Sequence, residues 1–182
     1  MSQADYKTII DLWFSEEVKE KWFNSTPAFD QQLRSRFLTT WQAARDGDLD
    51  WAHSPEAALA LVIVLDQFPL NMFRAQAESF ATEAMSREVA GAAIEKGFHK
   101  ELSDPQKVFL FMPFMHSESL ADQDRSVSLF ELAGLSENVK WAEHHRDIVR
   151  RFGRFPHRNA VLGRESSVEE LAWLNSDEAF TG

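Results

Sequence analysis

Cysteine is absent from this chain of 182 residues. That excludes a disulfide framework, a thiol nucleophile and a thiolate zinc site. It fits a reducing compartment, and a cytoplasmic location is expected. Long apolar runs are missing too. The longest, Ala57 to Leu65, falls well short of the roughly 20 residues that a membrane-spanning helix needs. The opening residues, Met1-Ser2-Gln3-Ala4-Asp5, place no apolar run behind a basic stretch, so no signal peptide is expected. Positive charge is scarce: Lys and Arg total 19 against 29 Asp and Glu, a formal net charge of −10. Neither a nucleic-acid nor a membrane partner is expected of such a chain. No Gly-x-Ser-x-Gly elbow and no glycine-rich phosphate loop occurs, which removes two common catalytic signatures.

What is present is aromatic bulk and helical spacing. The chain carries 15 Phe and 6 Trp, enough for a core built on large rings. Alternating apolar and polar positions do not occur, so strands are not expected. Tyr6, Ile9, Ile10 and Trp13 share one face of a helix over Asp5 to Phe14. Thr26-Pro27 and Ser54-Pro55 each place a capping hydroxyl before a proline at the first helical position. The first opens a helix with the stripe Phe29, Leu33, Phe37, Trp41 and Ala44, stopped by Gly47. The second opens a helix that is apolar nearly all round, hence buried and central, and predicted to stop at Phe68-Pro69.

A long helix is predicted from about Ala77 to Lys96, packed through Phe80, Ala84, Val89 and Ala92–Ala93, with Glu83 and Arg87 outside. Ser103-Asp104-Pro105 starts another, broken or kinked at Pro113. Leu120, Gln123, Val127 and Phe130 mark the next. A helix opened by Ser136 shows Trp141, His145, Ile148 and Phe152 on one face. Ser167 with Glu170 forms a capping box before a last helix, with Leu171 and Leu174 inward. The expectation is an all-α single domain over residues 1–182, about eight helices in antiparallel pairs.

One stretch departs from the acidic background. Arg146 to Arg164 holds six arginines against the single acid Asp147. At its heart lies Arg151-Phe152-Gly153-Arg154-Phe155-Pro156-His157-Arg158-Asn159. Arginine is suited to carboxylate and phosphate recognition, and rigid neighbours would hold Arg154, His157, Arg158 and Asn159 in place. Asp66, an acid near a helix end, calls for a compensating donor. With Gln67, Asn71 and Arg74 it completes a candidate ligand-binding set. His116 and Glu118 follow the Pro113 break, and with His157 they are the candidate acid–base groups. No spacing matches a metal signature such as H-E-x-x-H. Neither metal nor cofactor is expected, and His145, on an apolar stripe, reads as a core histidine.

The same segments carry a resemblance. Leu65-Asp66-Gln67-Phe68-Pro69 with Asn71, Met112-Pro113 with His116-Ser117-Glu118, and the arginine stretch are similar to the bacterial family called domain of unknown function 924. Leu12-Trp13-Phe14 and Trp22-Phe23 are similar too. Val168 departs from the proline usual there, which touches capping alone. The resemblance implies a fold of the tetratricopeptide-like helical superfamily and supplies no function.

Two functional readings remain. In one, the arginine, histidine and asparagine side chains line a pocket for a small anionic ligand, for binding or for hydrolase-like chemistry. In the other, a groove accepts an acidic peptide, as in tetratricopeptide-like interaction modules, and the arginines act as a structural clamp satisfied by Asp66, Glu118 and nearby carbonyls. Whether the protein is an enzyme, and its oligomeric state, stay open at this level.

Overall fold

The computed structural model describes residues 3–177 and 179. Among them the chain is all-α, with no strand. The helices are α1 (Tyr6–Trp13), α2 (Glu16–Lys19), α3 (Pro27–Arg45), α4 (Pro55–Met72), α5 (Glu83–Glu95), α6 (Asp104–Met115), α7 (Leu120–Leu132), α8 (Ser136–Phe152) and α9 (Val168–Leu174). They fall into two compact units. The first runs to Arg74 and includes Glu78–Pro113; the second comprises Ala75–Ala77 and the chain from Phe114 onward.

In the first unit α4 is the hub: α1, α3 and α5 all pack on it. Its Ala57–Leu65 stretch is buried on every side. A helix with no polar face must be enclosed by others, and aromatic rings do the enclosing. Phe68 meets Trp13 at 5.7 Å and Phe37 at 5.2 Å between centroids. The stripe Phe29, Leu33, Phe37, Trp41 and Ala44 of α3 is buried as its spacing dictates. Thr26 and Ser54 cap α3 and α4 through their hydroxyls, each with proline next. Trp22 is anchored through Nε1 to the Trp13 carbonyl at 2.9 Å, whereas Phe23 is exposed.

Helix boundaries differ from the sequence expectation at Pro69 and Ala77, and α6 likewise does not end at Pro113 but runs through it to Met115. α4 does not stop at Phe68; it continues through Pro69 to Met72. Proline has no N–H, so the carbonyl four residues back, that of Leu65, loses its helical donor. The Thr82 hydroxyl donates to Leu65 O instead, and it accepts from Trp41 Nε1 at 3.2 Å. Conversely, the helix expected from Ala77 is split. A short 3-10 turn spans Ala77–Phe80, and α5 begins only after Thr82. The buried face of α5 is Ser86, Ala90 and Ala93, while Ala84 and Ala92 face solvent. Glu83 and Arg87 are half-buried rather than outside.

The second unit is built on the α7–α8 hairpin. Arg146 and Arg150 both approach Asp124, at 3.9 and 3.7 Å, which sets the first half of α7 opposite the second half of α8. Gln123 fixes the turn before α7. Its Nε2 donates to the carbonyls of Met115 and Ser117, at 2.7 and 2.6 Å. α8 buries Ala142, His145, Ile148 and Val149, with Trp141 turned outward. Ser136 is the first helical residue, not the cap. The chain leaves α8 at Gly153, whose φ of +73° is a left-handed conformation that glycine adopts without strain. Phe155 and Trp173 pack with Ile148 and Val149. In α9 Trp173 is buried and Leu174 packs on the same cluster as expected, while Leu171 is about half exposed. The capping box of Ser167 and Glu170 is present in full. No helix among the described residues is long and apolar enough to cross a membrane.

Candidate functional site

The candidates divide between the units: Asp66, Gln67, Asn71 and Arg74 in the first, His116, Glu118, Arg154, His157, Arg158 and Asn159 in the second.

In the first unit α4 carries the polar residues at its C-terminal end. Asp66 is buried and accepts from Gln67 Nε2 at 2.6 Å, the donor its position called for. The same Nε2 lies 3.6 Å from Met112 Sδ. Asn71 Nδ2 donates to the Gln67 carbonyl at 3.0 Å. Arg74 pairs with Asp30 through Nε at 2.7 Å and Nη2 at 3.3 Å, and Nη2 also reaches Asn71 Oδ1 at 3.4 Å. Asp30, on α3, was not among the candidates, because nothing in its spacing ties it to Arg74.

In the second unit the arginine stretch is a web of internal bonds. Arg154 clasps Glu170 with Nε and Nη2, at 2.7 and 2.8 Å, and Nη2 also donates to the Glu165 carbonyl at 2.8 Å. Glu170 accepts from the Ser167 amide at 2.7 Å as well. The Arg154 fork, outweighing the opposing effect of burial, holds the Glu170 carboxyl down to about 2. Arg164 forms a second fork on Glu118, at 2.7 and 2.9 Å. Glu118 also accepts the Phe155 amide at 2.8 Å. Burial alone would raise its pKa; the Arg164 fork and the amide bond outweigh it and keep the carboxyl below the usual range. Asn159, fully buried, accepts from Arg164 Nε at 2.9 Å and donates to Ser166 Oγ at 3.0 Å.

These bonds tie α9 and its leading loop to the end of α8. Arg154, Asn159 and Glu118 are therefore engaged within the protein. The engagement of Glu170 and Arg164 is the part the sequence did not reveal. Glu170 reads as a capping residue, and its second role depends on the turn at Gly153.

The remaining polar groups gather around the Phe155 ring, which is completely buried. The Arg158 guanidinium lies 4.6 Å from its centroid. The His157 ring is at 5.5 Å and the His145 ring at 5.7 Å. His145 is the core histidine expected. Its Nδ1 lies 2.7 Å from the Trp141 carbonyl, so Nδ1 carries the proton. Burial, aided by the neighbouring histidines, lowers its pKa to about 3. His157 is lowered to about 4, first by burial and then by the Arg158 charge, against a smaller pull from Glu118. Its Nδ1 is buried and has no hydrogen-bond partner among the described residues. His116, half-buried in the turn after α6, is close enough to disfavour charge on both rings. Among the described residues no three His, Asp or Glu side chains converge as a metal-ligand set.

The family model described as bacterial protein of unknown function (DUF924) matches residues 9–178, and the chain belongs to that family. A solved structure, that of the protein of unknown function ATU0120 from Agrobacterium tumefaciens, is similar at 41% identity with a TM-score of 0.89. The similarity covers 93% of this chain and 96% of that one. No curated protein matches.

Proposed function

We propose that this protein binds a small anion in its second unit, at His157 and Arg158, with His116 beside them. The observation that supports the reading is the grouping on the Phe155 ring: a guanidinium over the ring at 4.6 Å and a half-buried imidazole at 5.5 Å whose buried Nδ1 has no partner among the described residues. A stacked arginine is held in one orientation, which lowers the entropy lost when it grips a carboxylate or oxoanion. Glu118, the acid facing the group, is already gripped by Arg164.

The same facts favour binding over acid–base catalysis. A neutral imidazole with a pKa of about 4 is a weak base at neutral pH. Glu118 is engaged by the Arg164 fork and the Phe155 amide. Arg154, Asn159 and Arg164 serve the site by fixing the segment that carries it.

The test is thermal shift and calorimetry with sulfate, malonate and a short acidic peptide. Sulfate or malonate should raise the melting temperature of the wild type, and Arg158→Gln should remove the response while keeping the helical circular dichroism. Because Arg158 is buried, His157→Gln provides the second variant, expected to weaken binding without loss of fold. Amide chemical shifts should move at His157 and Arg158. Movement confined to Asp66, Gln67, Asn71 or Arg74 would transfer the site to the first unit. A response to the peptide alone would favour the interaction module that the tetratricopeptide-like resemblance implies.

A further inference from the structure

We infer that α7 holds an internal water molecule between Gln123 Oε1 and Ser126 Oγ, and that this water fastens the turn carrying His116 and Glu118. The water site stands independently of the anion site proposed above.

Gln123 and Ser126 are both fully buried. They lie three residues apart, on the inward face of α7. The orientation of the Gln123 amide is fixed by its surroundings. Its nitrogen carries two hydrogens, and these go to the carbonyls of Met115 and Ser117, at 2.7 and 2.6 Å. A flipped amide would set its oxygen against two carbonyl oxygens, so the bonding itself decides the assignment. Oε1 is then the atom left over, and it has no hydrogen-bond partner among the described residues. The Ser126 hydroxyl has none there either, so it does not serve Oε1 directly. A helical serine often passes its proton to the carbonyl four residues back. Ser128, on the exposed side of the same helix, does so, donating to Asp124 O at 3.0 Å.

A buried amide oxygen without a donor is costly, and native proteins meet such a need with ordered water. Side chains on a helix lean toward its N-terminus, which brings Ser126 Oγ back over the turn that Gln123 occupies. Two successive bonds of about 2.8 Å bridge oxygens too far apart for a direct one. Neither oxygen carries a charge, so the ligand class is a neutral donor of the size of water. It donates to Oε1 and bonds the Ser126 hydroxyl. The effect reaches the turn after α6. The Met115 and Ser117 carbonyls bracket His116, with Glu118 next in the chain, and the amide that grips both carbonyls is held from behind by the water.

The test is a high-resolution crystal structure of the full chain, paired with water–amide cross-relaxation NMR in solution. A water should lie about 2.7–3.2 Å from both Gln123 Oε1 and Ser126 Oγ. The Gln123 side-chain amide should show transfer from a long-lived water. Ser126→Ala, a substitution that a helix accepts readily, should lose both signals, and hydrogen exchange of the Ser117 and Ser119 amides should quicken. A dry pair of oxygens, or Oε1 and Oγ each bonded to protein groups instead, would overturn the water site. A water that persists unchanged in Ser126→Ala would overturn the bridge. Loss of the water with unaltered exchange at Ser117 and Ser119 would overturn its hold on the turn.

Discussion

Acidification from about pH 7.5 to about pH 5.5 should weaken the folded state by roughly 3 kcal/mol through two histidines, with His99, which burial also depresses, adding in the same direction. His145 and His157 have an ordinary pKa of 6.5 and folded values of about 3 and about 4. Both are depressed, so in this window the unfolded chain binds protons that the folded chain refuses. The stability they contribute is fully present above about 6.5 and is lost as the pH falls toward the folded values. Linkage over that interval gives about 1.4 kcal/mol for each ring. The carboxylates do not confuse the measurement. Glu118 and Glu170 are also depressed, but their contribution is retained above the ordinary carboxylate value of 4.5 and declines only in more acidic solution.

The assay is urea denaturation followed by circular dichroism. With a slope of about 2 kcal/mol/M, the midpoint should fall by roughly 1–1.5 M. In His157→Gln the fall should shrink to about half. A midpoint that is unchanged or higher at the lower pH would refute the claim that these rings are buried neutral. A full-sized fall in His157→Gln would refute the share assigned to that residue.

Three further outcomes follow from the bonding. Thr82→Val removes the donor to Leu65 O and the acceptor of Trp41 Nε1, and should cost about 2 kcal/mol of stability, read from urea midpoints; a change within experimental error would refute the bridging role. Glu118→Gln keeps an acceptor for the Phe155 amide but leaves Arg164 without its charged partner, and should cost about 2 kcal/mol; equal stability would mean solvent already carries that arginine. Arg154→Ala should loosen α9, visible as faster hydrogen exchange of the α9 amides with little change in α4. Retention of sulfate binding in that variant would mark Arg154 as a fastening residue, and complete loss at unchanged protection would place it on the ligand.

Much of this fold was legible in the sequence. Proline directly after a hydroxyl residue marked the starts of α3 and α4 because capping is a local device, decided within four residues. The stripe of α3 and the encircling hydrophobicity of Ala57–Leu65 were legible because burial must follow the helical period. The errors came where a side chain acted at a distance. Trp141 and Leu171 lie on apolar stripes but are about half exposed, since helical spacing says which residues share a face and not how far the neighbouring elements cover it. Pro69 does not end α4, because a residue thirteen positions away supplies the missing donor. At the candidate site the charge run was evident, and so was the histidine within it. The assignment of each arginine to its carboxylate was not, since Arg154–Glu170 and Arg164–Glu118 are separated by 16 and 46 residues and depend on the turn at Gly153.

The Thr82 bridge has a consequence for α5. Thr82 occupies the N-cap position of that helix, yet its side chain makes no capping bond there, because the hydroxyl is directed to Leu65 O. One oxygen thus completes one helix and leaves the start of another bare. Positions 69 and 82 are coupled: Pro69→Ala would restore an amide for Leu65 O and release the hydroxyl to cap α5. A double-mutant cycle on Pro69→Ala and Thr82→Val should then be non-additive: beside alanine the valine no longer deprives Leu65 O of its donor, while the loss of the Trp41 Nε1 acceptor remains.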